Sequence, residues 1–140
     1  MARSVDSLAP TPEISGRALI VVIDDEIAIR EAMNSLLTGW GYEVVTADSG
    51  VEILDYFSKN PGRPDIVICD YRLRGQENGI DVIHLIQSHF DQALPAMLIT
   101  GDTAVDRLVE AQASGFLLLH KPVPNGKLRA AIVNLISSSK

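Results

Sequence analysis

A single cysteine, Cys69, in a chain of 140 residues excludes an internal disulfide and any zinc site built from a cysteine cluster. It lies inside an apolar run, so it reads as a small buried hydrophobe and not as a redox centre. No apolar run approaches the ~20 residues that cross a bilayer, and the first residues lack the apolar stretch of a secretory signal. The cytoplasm is therefore the expected compartment, with no membrane contact by this chain. Positive charge is also scarce: 12 Lys and Arg stand against 18 Asp and Glu, a formal net charge of -6. Such a balance gives little electrostatic grip on nucleic acid, where basic side chains must neutralise phosphates, and direct nucleic-acid binding is not expected. Gly39 and Gly41 do not complete a GxGxxG run, which removes the glycine-rich phosphate loop. His84 and His89, five apart on a predicted helix, point away from any common ligand, and His120 does not complete a metal-binding spacing.

What the chain does have is apolar content, at 46% hydrophobic residues, enough for one domain with a real core. Residues 1–16 hold two Pro, three Ser and a Thr with little apolar periodicity, and are expected to form a flexible tail or interdomain linker ahead of a domain over 17–140. From Arg17 onward, strand-length apolar runs alternate with helical patterns. Ala18 to Ile23, Asp65 to Cys69 and Ala96 to Ile99 are near-continuous in apolar residues, as strands buried on both faces should be, and Glu43 to Thr46 and Phe116 to Leu119 complete five. Between them, Ile29, Met33, Leu36, Leu37 and Trp40 recur at helical spacing, with Gly39 or Gly41 available to end that helix. Ser49 and Glu52 have capping-box spacing at the head of a second helix. Further helices are predicted from Ile80 to about Phe90, from Thr103 to Ser114, and after Pro124. The sum is an α/β fold, (βα)5. Right-handed crossovers then give a doubly wound, five-stranded parallel sheet, for which the flavodoxin-like order 2-1-3-4-5 is a common solution.

In open sheets of this kind, sites lie beyond the C-terminal ends of the strands. The predicted first strand ends in Asp24-Asp25-Glu26, the third in Asp70, the fourth in Thr100 and the fifth in Lys121-Pro122. Asp24 and Asp25 alone would read as helix N-caps, Asp70 as a turn residue, Thr100 as a cap for the fourth helix and Lys121 as a solvated charge. Their joint placement argues for a site. Three crowded carboxylates raise one another's pKa unless a cation joins them, and an all-oxygen donor set suits Mg2+ or Mn2+. A carboxylate beside such a metal can attack phosphorus and form an aspartyl phosphate, with Lys121 neutralising the transferred group and Thr100 donating a hydrogen bond to it.

The stretches Ile20-Val21-Val22-Ile23-Asp24-Asp25-Glu26, Asp70-Tyr71-Arg72-Leu73, Ile99-Thr100-Gly101 and His120-Lys121-Pro122 resemble the motifs of response-regulator receiver domains, in family order and over roughly Arg17 to Ile136. The resemblance implies a two-component phosphoacceptor with self-catalysed phosphoryl transfer and autodephosphorylation, and not an enzyme in the usual sense. It implies Asp70 as the phosphoacceptor and Asp24 and Asp25 as the acidic pair holding Mg2+. The backbone carbonyl of Arg72 is implied as a further metal ligand, Thr100 as the phosphate-sensing switch and Lys121 as the phosphate partner, aimed by a cis Lys121-Pro122 bond. Implied partners are a histidine kinase or a histidine phosphotransfer domain, with a second copy of the domain also allowed. The segments Asp70 to Ile80, with Arg72, Arg74, Gly75 and Gly79, Ile99 to Asp102 and Leu118 to Pro122 further resemble receivers at the C-terminus of hybrid sensor histidine kinases, with a stand-alone regulator as the competing form.

Two positions depart from the family pattern. Leu118 stands where Tyr or Phe is common, three residues before the lysine, leaving Phe116 as the candidate substitute. Arg72 stands two residues beyond Asp70, where an aspartate-nucleophile phosphatase would need its acidic general acid, and this argues against that enzyme class. Arg72 and Asp102 occupy positions that tune hydrolysis of the phosphoryl group in the family. If the two pair across the mouth of the site and hinder the attacking water, Asp102→Ala will shorten the phosphorylated lifetime; equal hydrolysis rates in variant and wild type would discard the pairing.

Overall fold

Runs of β-branched and other apolar residues make the five strands, and they form one sheet because neither face of such a run can be left in water. The computed structural model describes residues 17–73, 77–101 and 105–138. Among these residues the order is β1 (Leu19–Ile23), α1 (Ile27–Gly39), β2 (Glu43–Ala47), α2 (Gly50–Lys59), β3 (Ile66–Asp70), α3 (Gly79–Phe90), β4 (Ala96–Thr100), α4 (Val105–Ala113), β5 (Leu117–His120) and α5 (Asn125–Ser138). The sheet is parallel throughout, in the order β2-β1-β3-β4-β5. This is the (βα)5 doubly wound arrangement expected from the alternation of apolar runs.

The two-residue period of the strands sends alternate side chains to opposite faces. Val21, Ile23, Val67, Cys69 and Leu98 pack with Ile53, Phe57, Ile83, Ile86 and Ala111 beneath α2, α3 and α4. Ile20, Val22, Ile66, Ile68 and Met97 pack with Leu37, Leu128, Ala131 and Ile132 beneath α1 and α5. Arg129 of α5 also stacks over the Trp40 ring at the end of α1, 5.3 Å from its centroid.

Local sequence explains the ends of the helices. Gly41, at φ 97°, follows α1; its N–H donates to the Thr38 carbonyl and that of Tyr42 to the Leu37 carbonyl, a Schellman closure that glycine accommodates without strain. Ser49 caps α2 by accepting from the Glu52 N–H at 3.1 Å, while the Glu52 carboxylate reaches back to the Asp48 N–H at 2.7 Å. The Glu thus returns one residue further than a capping box requires. Asn78 caps α3 in the same way through the Asp81 N–H, at 3.0 Å.

Strand boundaries move by one residue from the sequence expectation. β1 begins at Leu19 and β3 at Ile66, because Asp65 uses its carboxylate to accept the Leu19 N–H at 2.7 Å while its own N–H donates to the Leu19 carbonyl at 2.8 Å. β4 runs on to include Thr100. Phe116 lies just before β5, at the end of that strand remote from the site, with its ring 5.4 Å from that of His84. The predicted start of the fourth helix at Thr103, Asp102, and the tail assigned to residues 1–16 lie outside the described residues.

Gly79 opens α3 directly against β3. A Cβ there would sit 2.5 Å from the Asp70 carbonyl oxygen and 2.8 Å from Leu98 Cδ2. Gly79→Ala is therefore expected to cost about 1–3 kcal/mol or more, since backbone cannot yield as a flexible side chain would. Gly126, in the first turn of α5 with open space around it, should instead tolerate alanine or gain up to about 1 kcal/mol. Urea denaturation of the two variants checks the opposite signs.

Candidate functional site

The parallel register brings the ends of the strands level. Ile23 pairs with Cys69, so Asp24 and Asp70 emerge side by side from β1 and β3; Thr100 of β4 pairs with His120 of β5, which places Lys121 next in line. Backbone bonds extend these connections past the strands. The Asp24 N–H donates to the Ala47 carbonyl at 3.1 Å, the Tyr71 N–H to the Ile99 carbonyl at 2.8 Å, and the Lys121 N–H to the Thr100 carbonyl at 2.8 Å.

At this edge, one carboxylate oxygen from each of Asp24, Asp25 and Asp70 lies within 4.8 Å of the others. Lys121 Nζ stands 3.4 Å from Asp70 Oδ2 and 3.6 Å from Asp24 Oδ2. The Lys121-Pro122 peptide is cis, as expected. Asp24 is fixed at both ends of its residue: Oδ1 accepts the Glu26 N–H at 2.9 Å, and its carbonyl accepts Arg30 Nη1 at 2.7 Å. Thr100 is buried at the end of β4. Arg72 is exposed in the β3–α3 connection, where it forms an isolated antiparallel bridge with Asn78.

Burial drives the electrostatics. Asp70 is pushed up to about 6, chiefly because its carboxylate is desolvated; the Lys121 ammonium opposes this, and the Asp24 and Asp25 charges add to it. Burial works to lower the Lys121 pKa, but the charges of Asp70 and Asp24 outweigh it and hold the ammonium above its ordinary value. Desolvation, reinforced by Asp70, raises Cys69 far above an ordinary thiol, in keeping with a buried, unreactive side chain. Lys121 bridges two of the three carboxylates, and an all-oxygen set of this size fits a hard divalent cation.

The chain matches the family model for the response regulator receiver domain over residues 20–133. The chain belongs to the receiver-domain family of two-component response regulators. It is 32% identical over 122 residues to the transcriptional regulatory protein ZraR of Klebsiella oxytoca, covering 86% of this chain and 27% of that one. It is 33% identical over 118 residues to the response regulator MprA of a Mycobacterium species, covering 84% and 50%. The receiver thus spans between about a quarter and a half of these curated relatives. A receiver domain from Clostridium thermocellum superposes with a TM-score of 0.75 at 33% identity, over 87% of this chain and 96% of that one. The chemotaxis protein CheY4 of Vibrio cholerae gives 0.74 at 26%, over 86% and 99%.

Three features of this receiver's site have roles that the sequence does not announce. Arg30 holds the Asp24 backbone, six residues back across the start of α1. Gly79 permits the close passage of α3, and its place between the capping Asn78 and the apolar run of α3 is the available signal. An apolar cleft of about 530 Å3, walled by Ile29, Met33 and Leu36 on one side and Val123 and Leu128 on the other, opens beside Asp70 and Lys121.

The raised Asp70 pKa has a consequence for stability. The fold holds this acid's proton more tightly than the unfolded chain does, so its contribution is fully present below the ordinary value of 3.8 and is lost as pH rises through about 6. In EDTA at pH 7, Asp70→Asn should therefore melt a few degrees above wild type, what about 1 kcal/mol gives in a domain of this size after allowing for solvent screening. The gap should close as pH falls from about 6 towards 3.8. A constant gap across that range would show that Asp70 titrates normally.

Proposed function

We propose that this receiver takes a phosphoryl group onto Asp70 in a Mg2+-dependent reaction and changes conformation in response. The reading rests above all on the convergence of Asp24, Asp25, Asp70 and Lys121 at one edge of the sheet. Asp24, Asp25 and Asp70 would hold the ion, with the Arg72 carbonyl as a further ligand; the cation supplies charge neutralisation that lets an anionic carboxylate approach an anionic phosphoryl group. An Asp70 oxygen forms the new bond to phosphorus as the donor's bond to phosphorus breaks. Lys121, already between Asp70 and Asp24, pairs with the incoming oxygens, and Thr100 donates its hydroxyl to one of them. The same site carries out later hydrolysis by water.

The donor is a histidine kinase or a histidine phosphotransfer domain. The apolar cleft between α1 and the β5–α5 connection suits that partner, because it leads directly to Asp70 and Lys121. We place the domain in the cytoplasm, consistent with the absence of any helix long and apolar enough to cross a membrane among the described residues. The resemblance to receivers of hybrid kinases supports a module within a longer signalling chain; self-association as a homodimer is a further part of this reading.

Intact mass after incubation with acetyl phosphate tests the proposal. Wild type should gain one phosphoryl group with Mg2+ and none in EDTA, and Asp70→Asn should gain none. Lys121→Ala should slow uptake by at least about tenfold, as loss of a charged donor to developing negative charge does. Uptake at an unchanged rate in Asp70→Asn would assign the phosphoryl group elsewhere.

A further inference from the structure

Leu118 leaves β5 without the aromatic ring common in this family, and Phe116 does not replace it, since it packs against His84 at the far end of that strand. An aromatic side chain does stand beside the site, on a different element. Tyr71, the residue after Asp70, is 3% exposed and sits in the core beneath α3 and α4 with Leu118 and Ala111. Three elements meet on it. Its N–H donates to the Ile99 carbonyl, immediately before Thr100; its carbonyl accepts the Gly79 N–H at the start of α3; and its hydroxyl donates to the carboxylate of Glu110 on α4.

A buried phenol needs a partner for its hydroxyl, and a carboxylate acceptor makes a strong, directional one. The bond therefore fixes the position of α4 relative to the loop that follows Asp70. If Thr100 is drawn towards a phosphoryl group, the adjoining Ile99 carbonyl carries Tyr71 with it, and the Tyr71 hydroxyl must either take α4 along or release it.

We propose that Tyr71 is the positioning residue that transmits the state of Asp70 to α4, through its hydrogen bond to Glu110, in place of an aromatic on β5. This deepens the phosphoacceptor reading and rests on it.

Hydrogen exchange of the α4 amides in the full chain, with and without acetyl phosphate and Mg2+, tests it, with phosphoryl uptake followed by intact mass in each sample. In wild type, phosphorylation should change α4 protection by at least about fivefold, the lower end of ordinary coupling between sites. Tyr71→Phe keeps the ring and removes the hydroxyl; it should still take up one phosphoryl group, but with α4 protection the same in both states. A bond that only anchors α4 would instead alter protection equally in both states and leave the fivefold ratio intact, and that result overturns the proposal. Should Tyr71→Phe fold poorly, Glu110→Ala, at an exposed position, is expected to abolish the ratio, and its retention overturns the proposal equally. Wild type that takes up a phosphoryl group with unchanged α4 exchange sinks this inference alone. Wild type that takes up none sinks it together with the phosphoacceptor reading.

Discussion

Everything at this sheet edge follows from a crowding of charge: three carboxylates drawn within 4.8 Å of one another, two of them bridged by Lys121. Burial makes the crowding costly, because a desolvated carboxylate resists ionisation and its neighbours increase that resistance. The fold sustains it by using backbone to fix each participant. Asp24 is held through its own carbonyl and through the turn to Glu26, and Lys121 through its N–H on Thr100. Carboxylate oxygens held this close are a set that a divalent cation can complete.

The two apolar faces of the sheet have different tasks. Beneath α2, α3 and α4 the packing is close, to the point that Gly79 leaves no space for a methyl group between α3 and the Asp70 backbone. Beneath α1 and α5 a cleft lined by both helices reaches the charged residues. Close packing on one face and a cleft on the other both converge on Asp70.

Much of this was legible in the sequence because its signals are local or periodic. Runs such as Ile66 to Cys69 can only be strands buried on both sides, and the alternation of strands and helices fixes handedness and hence the edge where Asp24, Asp70, Thr100 and Lys121 meet. Strand boundaries were displaced where a side chain took over a backbone role, as Asp65 does against Leu19. Tertiary spacing was not legible at all. The bond from Tyr71 to Glu110 joins residues 39 apart, and neither residue carries a pattern that announces it. The cleft is likewise lined from β1, α1, β3, β4 and α5 together, which no single segment encodes.

Cys69 offers a different kind of access to this molecule. It is fully buried in β3, a strand with neighbours on both sides, and lies one residue before Asp70. A thiol so placed meets an alkylating reagent only when the centre of the sheet opens, so its rate of labelling counts those openings. The chain therefore contains a native clock for the stability of its own phosphoacceptor strand, readable without introducing a probe.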